Sequence, residues 1–319
     1  MGGRLKKAGL PYFLLLPGLG WLLVFFAIPM AYMAFESLKV GTIDTGFTFN
    51  WEFANYTDSI SDYSEQFIRS FEYAALATAF GLLIAYPLAY VIAFRAGRWR
   101  NALLLAVIVP FFVTYLLRTI SWETILADSG LIVETLRSIG ILGDDGRLLD
   151  TTVSVVAGIT YNYLPFMILP LYASLERMDG RLLEAGYDLY GRRRDVFLRV
   201  TLPLSMPGVV AGSLLMFIPA AGDFINAELL GTPNQFMIGN VIQSRFLELS
   251  DYPTAAALSF ILMALMLAIV LVWARIAGTD ALLGSEAERK SWDPRASGRA
   301  GRLRPGRHCA CADGCSTAS

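Results

Sequence analysis

Histidine is almost missing from this 319-residue chain; the single one, His308, falls in the last stretch of the sequence. The apolar body of the protein therefore has neither an imidazole proton relay nor a His-containing metal site. Lysine is scarce too. Lys6, Lys7, Lys39 and Lys290 are the whole set, and none follows a glycine. A phosphate-cradling loop of the form G-x-x-x-x-G-K-[ST] is excluded, so any ATP that drives this protein is bound by another chain. Cys309, Cys311 and Cys315 all sit near the end of the sequence, and no disulfide framework staples the fold. The "HCACADGC" segment offers donors for a metal, but its spacing matches no standard zinc knuckle, and no metal site is expected. The formal net charge is only -1, so no overall field attracts nucleic acid.

What is abundant is apolar surface. The chain is 55% hydrophobic with a mean hydropathy of +0.52, too greasy for a water-soluble domain of this length. Runs of about 19 apolar residues match a bilayer core of about 30 Å. The pattern predicts an all-α polytopic membrane protein with six spans: 13–35, 71–94, 102–120, 153–175, 206–221 and 255–276. The first, preceded by Arg4, Lys6 and Lys7, resembles a signal peptide. It is long for one and lacks an A-x-A cleavage site, which favours an uncleaved anchor. The fifth follows Pro207-Gly208 and is expected to start as a broken or tilted helix. Residues 1–283 form one transmembrane domain. The Gly-, Ser-, Ala- and Arg-rich stretch 284–319 reads as a disordered tail.

Basic residues set the orientation. One side holds Arg4, Lys6, Lys7, Arg95, Arg98, Arg100, Arg177, Arg181, Arg192, Arg193, Arg194 and Arg199; the other holds Lys39, Arg137, Arg147 and Arg245. The positive-inside rule places both termini and the 176–204 loop in the cytoplasm.

That loop, "LLEAGYDLYGRRRDVFLRVTLPLSMPG", is the least membrane-like part of the body. Asp179 is placed to cap a helix. Leu182, Ala185 and Leu189 share one face, with Leu183, Tyr187 and Tyr190 beside it and Glu184 and Asp188 opposite. Gly191 can close the helix in a left-handed turn. Val196, Phe197 and Val200 form a second stripe, stopped by Pro203. A helix of about ten residues is marginal alone in water. It must lie against its own spans, against anionic lipid, or in the groove of a partner.

The segment resembles the cytoplasmic loop of binding-protein-dependent ABC importer permeases: EAA, three residues, Gly, nine residues, an aliphatic, one residue, Leu-Pro. Glu184 and Ala185 match its start, and Val200, Leu202 and Pro203 its end. Gly186 replaces the third residue of EAA. Tyr190 stands at the glycine position, with Gly191 one later. The resemblance implies a type I ABC permease fold. Glu184, Ala185, Gly186, Asp188, Gly191, Leu202 and Pro203 would then form a coupling element seated in a cleft of an ATPase subunit. "NYLPFMILPLYASLERMDGRLLEAGYDL" and "GDFINAELLGTPNQFMIGNVIQSRFLELSDYPTAAALS" are similar to the B-type permeases of spermidine/putrescine importers. The implied partners are a pair of ATP-binding subunits holding ATP and Mg, a second homologous permease, an extracytoplasmic solute-binding protein and the lipid of a bacterial inner membrane. No catalytic residue and no cofactor is expected in this chain.

A polyamine path needs carboxylates and aromatic faces for ammonium groups. Candidate acids are Asp223 and Glu228 after the fifth span and Glu123 after the third. Candidate aromatics are Tyr115, Trp122, Tyr161, Tyr163 and Phe224. Tyr and Trp at span ends also form interface belts in ordinary membrane proteins. An ionisable group such as Asp223 at or inside a span end is costly and points to function. Asn162, with Pro165 and Pro170, marks a kinked fourth span. Rival readings are an ATP-independent transporter, a membrane scaffold, and the same permease role for an anion such as sulfate or phosphate, which Arg118 in the third span would suit.

Overall fold

The computed structural model describes residues 15–140, 143 and 146–277; the 284–319 tail lies outside them. Among the described residues five helices are long and apolar enough to cross a membrane, or six if one bent pair is a single span. They are α1 (Leu15–Glu36), α2 (Ala54–Phe94), the bent pair α3 (Gly97–Phe112) and α4 (Tyr115–Leu126), α6 (Thr152–Glu176), α8 (Arg193–Ala221) and α11 (Tyr252–Ala277). Shorter helices lie between them: α5 (Leu131–Ser138), α7 (Gly180–Tyr190), α9 (Ile225–Leu230) and α10 (Ile238–Gln243). A two-residue antiparallel pair, β1 (Lys39–Val40) with β2 (Thr48–Phe49), follows α1.

Helices α2, α6 and α8 form the centre, each packed on the other two. Lipid is as apolar as leucine, so close van der Waals contact has to hold such helices together, and small residues allow it. On α2, Ala74, Ala77, Gly81, Ala85 and Ala89 recur at helical spacing and are all buried. On α8, Gly208 and Gly212 lie four residues apart. A Cβ on Gly208 would come within 2.5 Å of Ser174 Cβ and 2.9 Å of the Pro170 carbonyl. One on Gly212 would come within 3.0 Å of the Met167 carbonyl. Both glycines thus press on the backbone of α6. Gly81 faces only the thioether of Met216, a side chain that can move.

Three of these elements differ from the sequence expectation. The 41-residue α2 is kinked at Tyr63, and at about 1.5 Å per residue its length along the chain is about twice the thickness of a hydrocarbon core. Its first turns stand outside the 71–94 window and hold the outer loops. Ser70 Oγ accepts from the Ile238 N–H at 2.7 Å, and Arg69 Nη1 donates to the Phe236 carbonyl at 3.2 Å. Asn55 Nδ2 donates to the carbonyls of Ser37 and Lys39, both at 2.9 Å. The 102–120 stretch is not one straight helix. Pro110 sits in a 3-10 turn, Val113 and Thr114 are extended, and α4 departs from α3 at 95°. The fifth span does not begin or break at Pro207-Gly208: α8 starts at Arg193 and runs through Pro207 to Ala221, and its irregularity is a π turn at Phe197–Thr201, just before Pro203. Proline lacks an N–H and crowds the carbonyl four residues back, and a widened turn relieves both.

Gly208→Val should destabilise the protein by about 1–3 kcal/mol, because backbone on α6 cannot retreat. Gly81→Ala should be close to neutral, because Met216 can. Thermal unfolding of the detergent-solubilised protein checks the contrast; equal losses at the two sites would contradict it.

Candidate functional site

The described residues bring several buried polar side chains together where α4, α6 and α9 meet. Val113 and Thr114 break the third span, and the first turn of α4 aims Tyr115, Arg118 and Thr119 inward. Asn162 projects from the middle of α6. Helix α8 ends at Ala221; the turn to α9 carries Asp223, and the first turn of α9 carries Asn226.

Asp223 is only 4% exposed. Its Oδ2 accepts from the Tyr115 hydroxyl and, at 2.8 Å, from Asn226 Nδ2. Its Oδ1 accepts from the Asn226 backbone N–H at 3.0 Å. Asn226 Nδ2 also donates to the Tyr115 oxygen. Its Oδ1 accepts from Asn162 Nδ2 at 3.2 Å and from Thr119 at 3.5 Å. Asn162 Nδ2 reaches Thr119 Oγ1 at 3.2 Å. A carboxylate taken out of water must recover its hydrogen bonds, and Asp223 recovers three. The outer edge of the group is less complete: Asn162 Oδ1 and Arg118 Nε are buried without a partner. Arg118 covers the faces of Phe111 and Tyr115, with its guanidinium carbon 5.0 and 5.7 Å from the ring centres. The Tyr163 ring lies 5.9 Å from that of Tyr115.

The candidates named from sequence therefore divide. Asp223, Tyr115 and Tyr163 converge. Asp223 is joined through Asn226 to Asn162 in the middle of α6. Phe224 adjoins the group through its backbone, its carbonyl accepting from Asn240 Nδ2 at 2.8 Å. Trp122 and Tyr161 pair with each other at 5.3 Å and line an apolar cavity of about 510 Å³ between α2, α4 and α6. Glu228 is exposed on α9, and Glu123 is half-buried further along α4. Neither hydrogen-bonds to the cluster among the described residues. Asn226 was missed from sequence. The signal was available: an asparagine three residues after an aspartate, directly behind a glycine, suits a turn in which the acid caps the next helix.

At the far end of α8, the loop folds much as its residues suggest. Asp179 caps α7 by accepting the Arg181 N–H at 3.0 Å, and Gly191 ends it at φ 66°. Gly186 is buried, and a Cβ there would lie 3.3 Å from methyls of both Val196 and Val200. A glycine in the third EAA place thus lets α7 nest closely on the second stripe. Tyr190 points outward beneath Arg199, 5.0 Å from its ring, so its bulk does not enter the packing. Glu184, Ala185 and Asp188 are exposed, as are Leu182 and Leu189. Pro203 is exposed and Leu202 half-buried. Phe197 seats the loop on α2 against Tyr86 and Tyr90.

Residues 77–277 match the family described as binding-protein-dependent transport system inner membrane component. The chain belongs to this family. It is 37% identical over 256 residues to the spermidine/putrescine transport system permease protein PotB of Haemophilus influenzae, covering 80% of this chain and 90% of that one. Its identity to the Escherichia coli PotB is 35% over 257 residues, or 80% and 94% of the two chains. The fold is that of a chain in the crystal structure of a bacterial alginate ABC transporter in complex with an alginate pentasaccharide-bound periplasmic protein. That match has a TM-score of 0.64 and 21% identity, over 87% of this chain and 97% of that one. The protein is thus an inner-membrane permease component of an ABC importer.

Within this permease Asn226 holds the polar cluster together, since both amide atoms and its backbone N–H are used. Asn226→Leu leaves Asn162, Thr119 and Asp223 short of partners in a dry site. A loss of about 1–3 kcal/mol is expected, read as a lowered unfolding temperature in detergent. An unchanged unfolding temperature would show that the network carries no stability.

Proposed function

We propose that this permease moves polyamines of the spermidine/putrescine class into the cytoplasm, powered by ATP bound to other subunits. The observation that carries the reading is the Asp223 carboxylate, buried and bonded to the Tyr115 hydroxyl. A thin chain of ammonium groups leaving water needs an anion and aromatic faces in one place. The relatives named for spermidine and putrescine support the same choice. An anion passing this point would meet Asp223, and the nearby cation Arg118 is already covered by two rings.

In this reading α7 is the coupling helix. Its exposed Leu182, Ala185 and Leu189 face docks in a cleft of one of two ATPase subunits, with Glu184 and Asp188 flanking it. Buried Gly186, the Gly191 turn, Leu202 and Pro203 fix its angle to α8. ATP and Mg stay with those subunits, since this sequence has no loop to cradle phosphates. A second permease completes the path, and a solute-binding protein delivers cargo to the outer face. The permease domain occupies residues 1–283, with both termini cytoplasmic, as the distribution of Arg and Lys requires. ATP-driven closure of the ATPases would rock the central helices about the Asp223 site.

Vesicles containing the whole transporter should take up labelled spermidine or putrescine only with ATP. Asp223→Asn should lower that uptake at least about tenfold, the equivalent of about 1.4 kcal/mol, while the subunits still assemble. Glu184→Lys changes an exposed residue and should leave the permease folded, yet uncouple transport from ATP hydrolysis. Normal polyamine uptake by Asp223→Asn would remove this acid from the path, and normal uptake by Glu184→Lys would remove α7 from the coupling surface.

A further inference from the structure

Arg118 has no place in the transport reading so far, and its surroundings are unusual for a buried charge. It is 8% exposed, one turn into α4, level with the middle of α6. A guanidinium has five N–H donors. Among the described residues its hydrogen bond runs from Nη1 to the Asn162 carbonyl, at 3.5 Å. Nε has no partner, and no carboxylate lies within ion-pair distance of Arg118 among the described residues. What holds the charge is aromatic: the faces of Phe111 and Tyr115. The Tyr115 hydroxyl is in turn bonded to Asp223. Two ring faces beside a buried acid make a cage for an organic cation. In this structure the protein fills that cage with its own side chain.

We propose that Arg118 is a tethered stand-in for the substrate, closing the path at rest and leaving when an alkylammonium group takes its place between Phe111 and Tyr115. This inference rests on the polyamine reading. A buried arginine held by two cation–π contacts and one long hydrogen bond is exchangeable in a way that an arginine paired with a carboxylate is not, because breaking a buried ion pair strands both charges. The unpartnered Asn162 Oδ1, within the same cluster, supplies an acceptor that an incoming ammonium can use. The exchange conserves charge: one cation enters the cage as another leaves, so Tyr115 and Asp223 never face an empty site. Phe111 lies on the other side of the break at Val113–Thr114, so a small rotation of α4 at this hinge would draw the guanidinium off the Phe111 ring, and a rotamer change of Arg118 would clear Tyr115 on the same helix.

The test uses the complete transporter in vesicles, without ATP and without binding protein, and follows leak of labelled methylammonium. Wild type and Arg118→Lys should stay tight. Arg118→Ala should leak about tenfold faster, and millimolar guanidinium chloride should suppress the leak by refilling the cage. With ATP, Arg118→Ala should also show a lower KM for spermidine, since nothing competes for the rings. A leak that guanidinium does not touch, or a tight Arg118→Ala with an unchanged KM, would overturn the proposal. If Arg118→Ala fails to assemble, Phe111→Leu, which weakens the cage but keeps the charge, must leak in its place; a tight Phe111→Leu would count as refutation. Wild-type vesicles that move no polyamine with ATP would instead defeat the functional reading, and the methylammonium arm would still decide the role of Arg118.

Discussion

Helix α8 lies directly on the backbone of α6, and that contact fixes the other distances in the molecule. Gly208 and Gly212 remove the side chains that would otherwise keep the helices apart, leaving Ser174, the Pro170 carbonyl and Met167 as the opposing surface. In a solvent of hydrocarbon chains, burying leucine against leucine gains little over burying it in lipid, so shape must supply the attraction. The alanine row on α2 extends the same solution to a third helix. These three helices make a scaffold stiff enough to carry polar groups in its midst.

Those groups sit where the helices stop being regular. Lipid forbids unpaired backbone except where protein covers it or it lines a cavity. The extended residues Val113 and Thr114, and the end of α8 at Ala221, are interruptions of that kind. Each delivers a side chain that a continuous helix would have aimed elsewhere: Tyr115 from one break and Asp223 from the other, meeting through a shared hydrogen bond. Asn226 then joins both to Asn162 on the unbroken core of α6. The cluster costs desolvation, recovered through hydrogen bonds everywhere except at Arg118 and Asn162 Oδ1.

Local rules made the cytoplasmic loop readable. An aspartate cap and a glycine stop act within one turn of themselves, and both appear at Asp179 and Gly191. Asp223 was also legible as a candidate, because an acid next to an apolar run is conspicuous. Its burial was not, since hydropathy finds the end of a greasy stretch and cannot tell whether the chain re-enters. The 95° break was missed for a related reason. "VPFFVTY" is apolar throughout, so composition runs on while geometry turns. Gly208-x-x-x-Gly212 was in view as a spacing, but spacing alone does not say which neighbour the glycines admit. Asn226 needed a tertiary fact, that α9 folds back against α6, before its amide could have meaning.

Helix α8 joins the two halves of the proposed machine. Its 29 residues span roughly 43 Å at about 1.5 Å per residue. One end continues from the loop that displays Glu184, and the other ends two residues before Asp223. A force on α7 passes into the π turn at Phe197–Thr201, where the helix is already widened. Beyond that turn, Gly208 and Gly212 leave almost no slack against α6. Bending is therefore cheapest at the π turn and at the break that holds Asp223, and most costly between them. A helix that is compliant at both ends and clamped in the middle moves as a lever. In such a lever, displacement of the loop would reach the polar cluster as rotation of α6 and α8 together, relative to the bent span that carries Phe111, Tyr115 and Arg118.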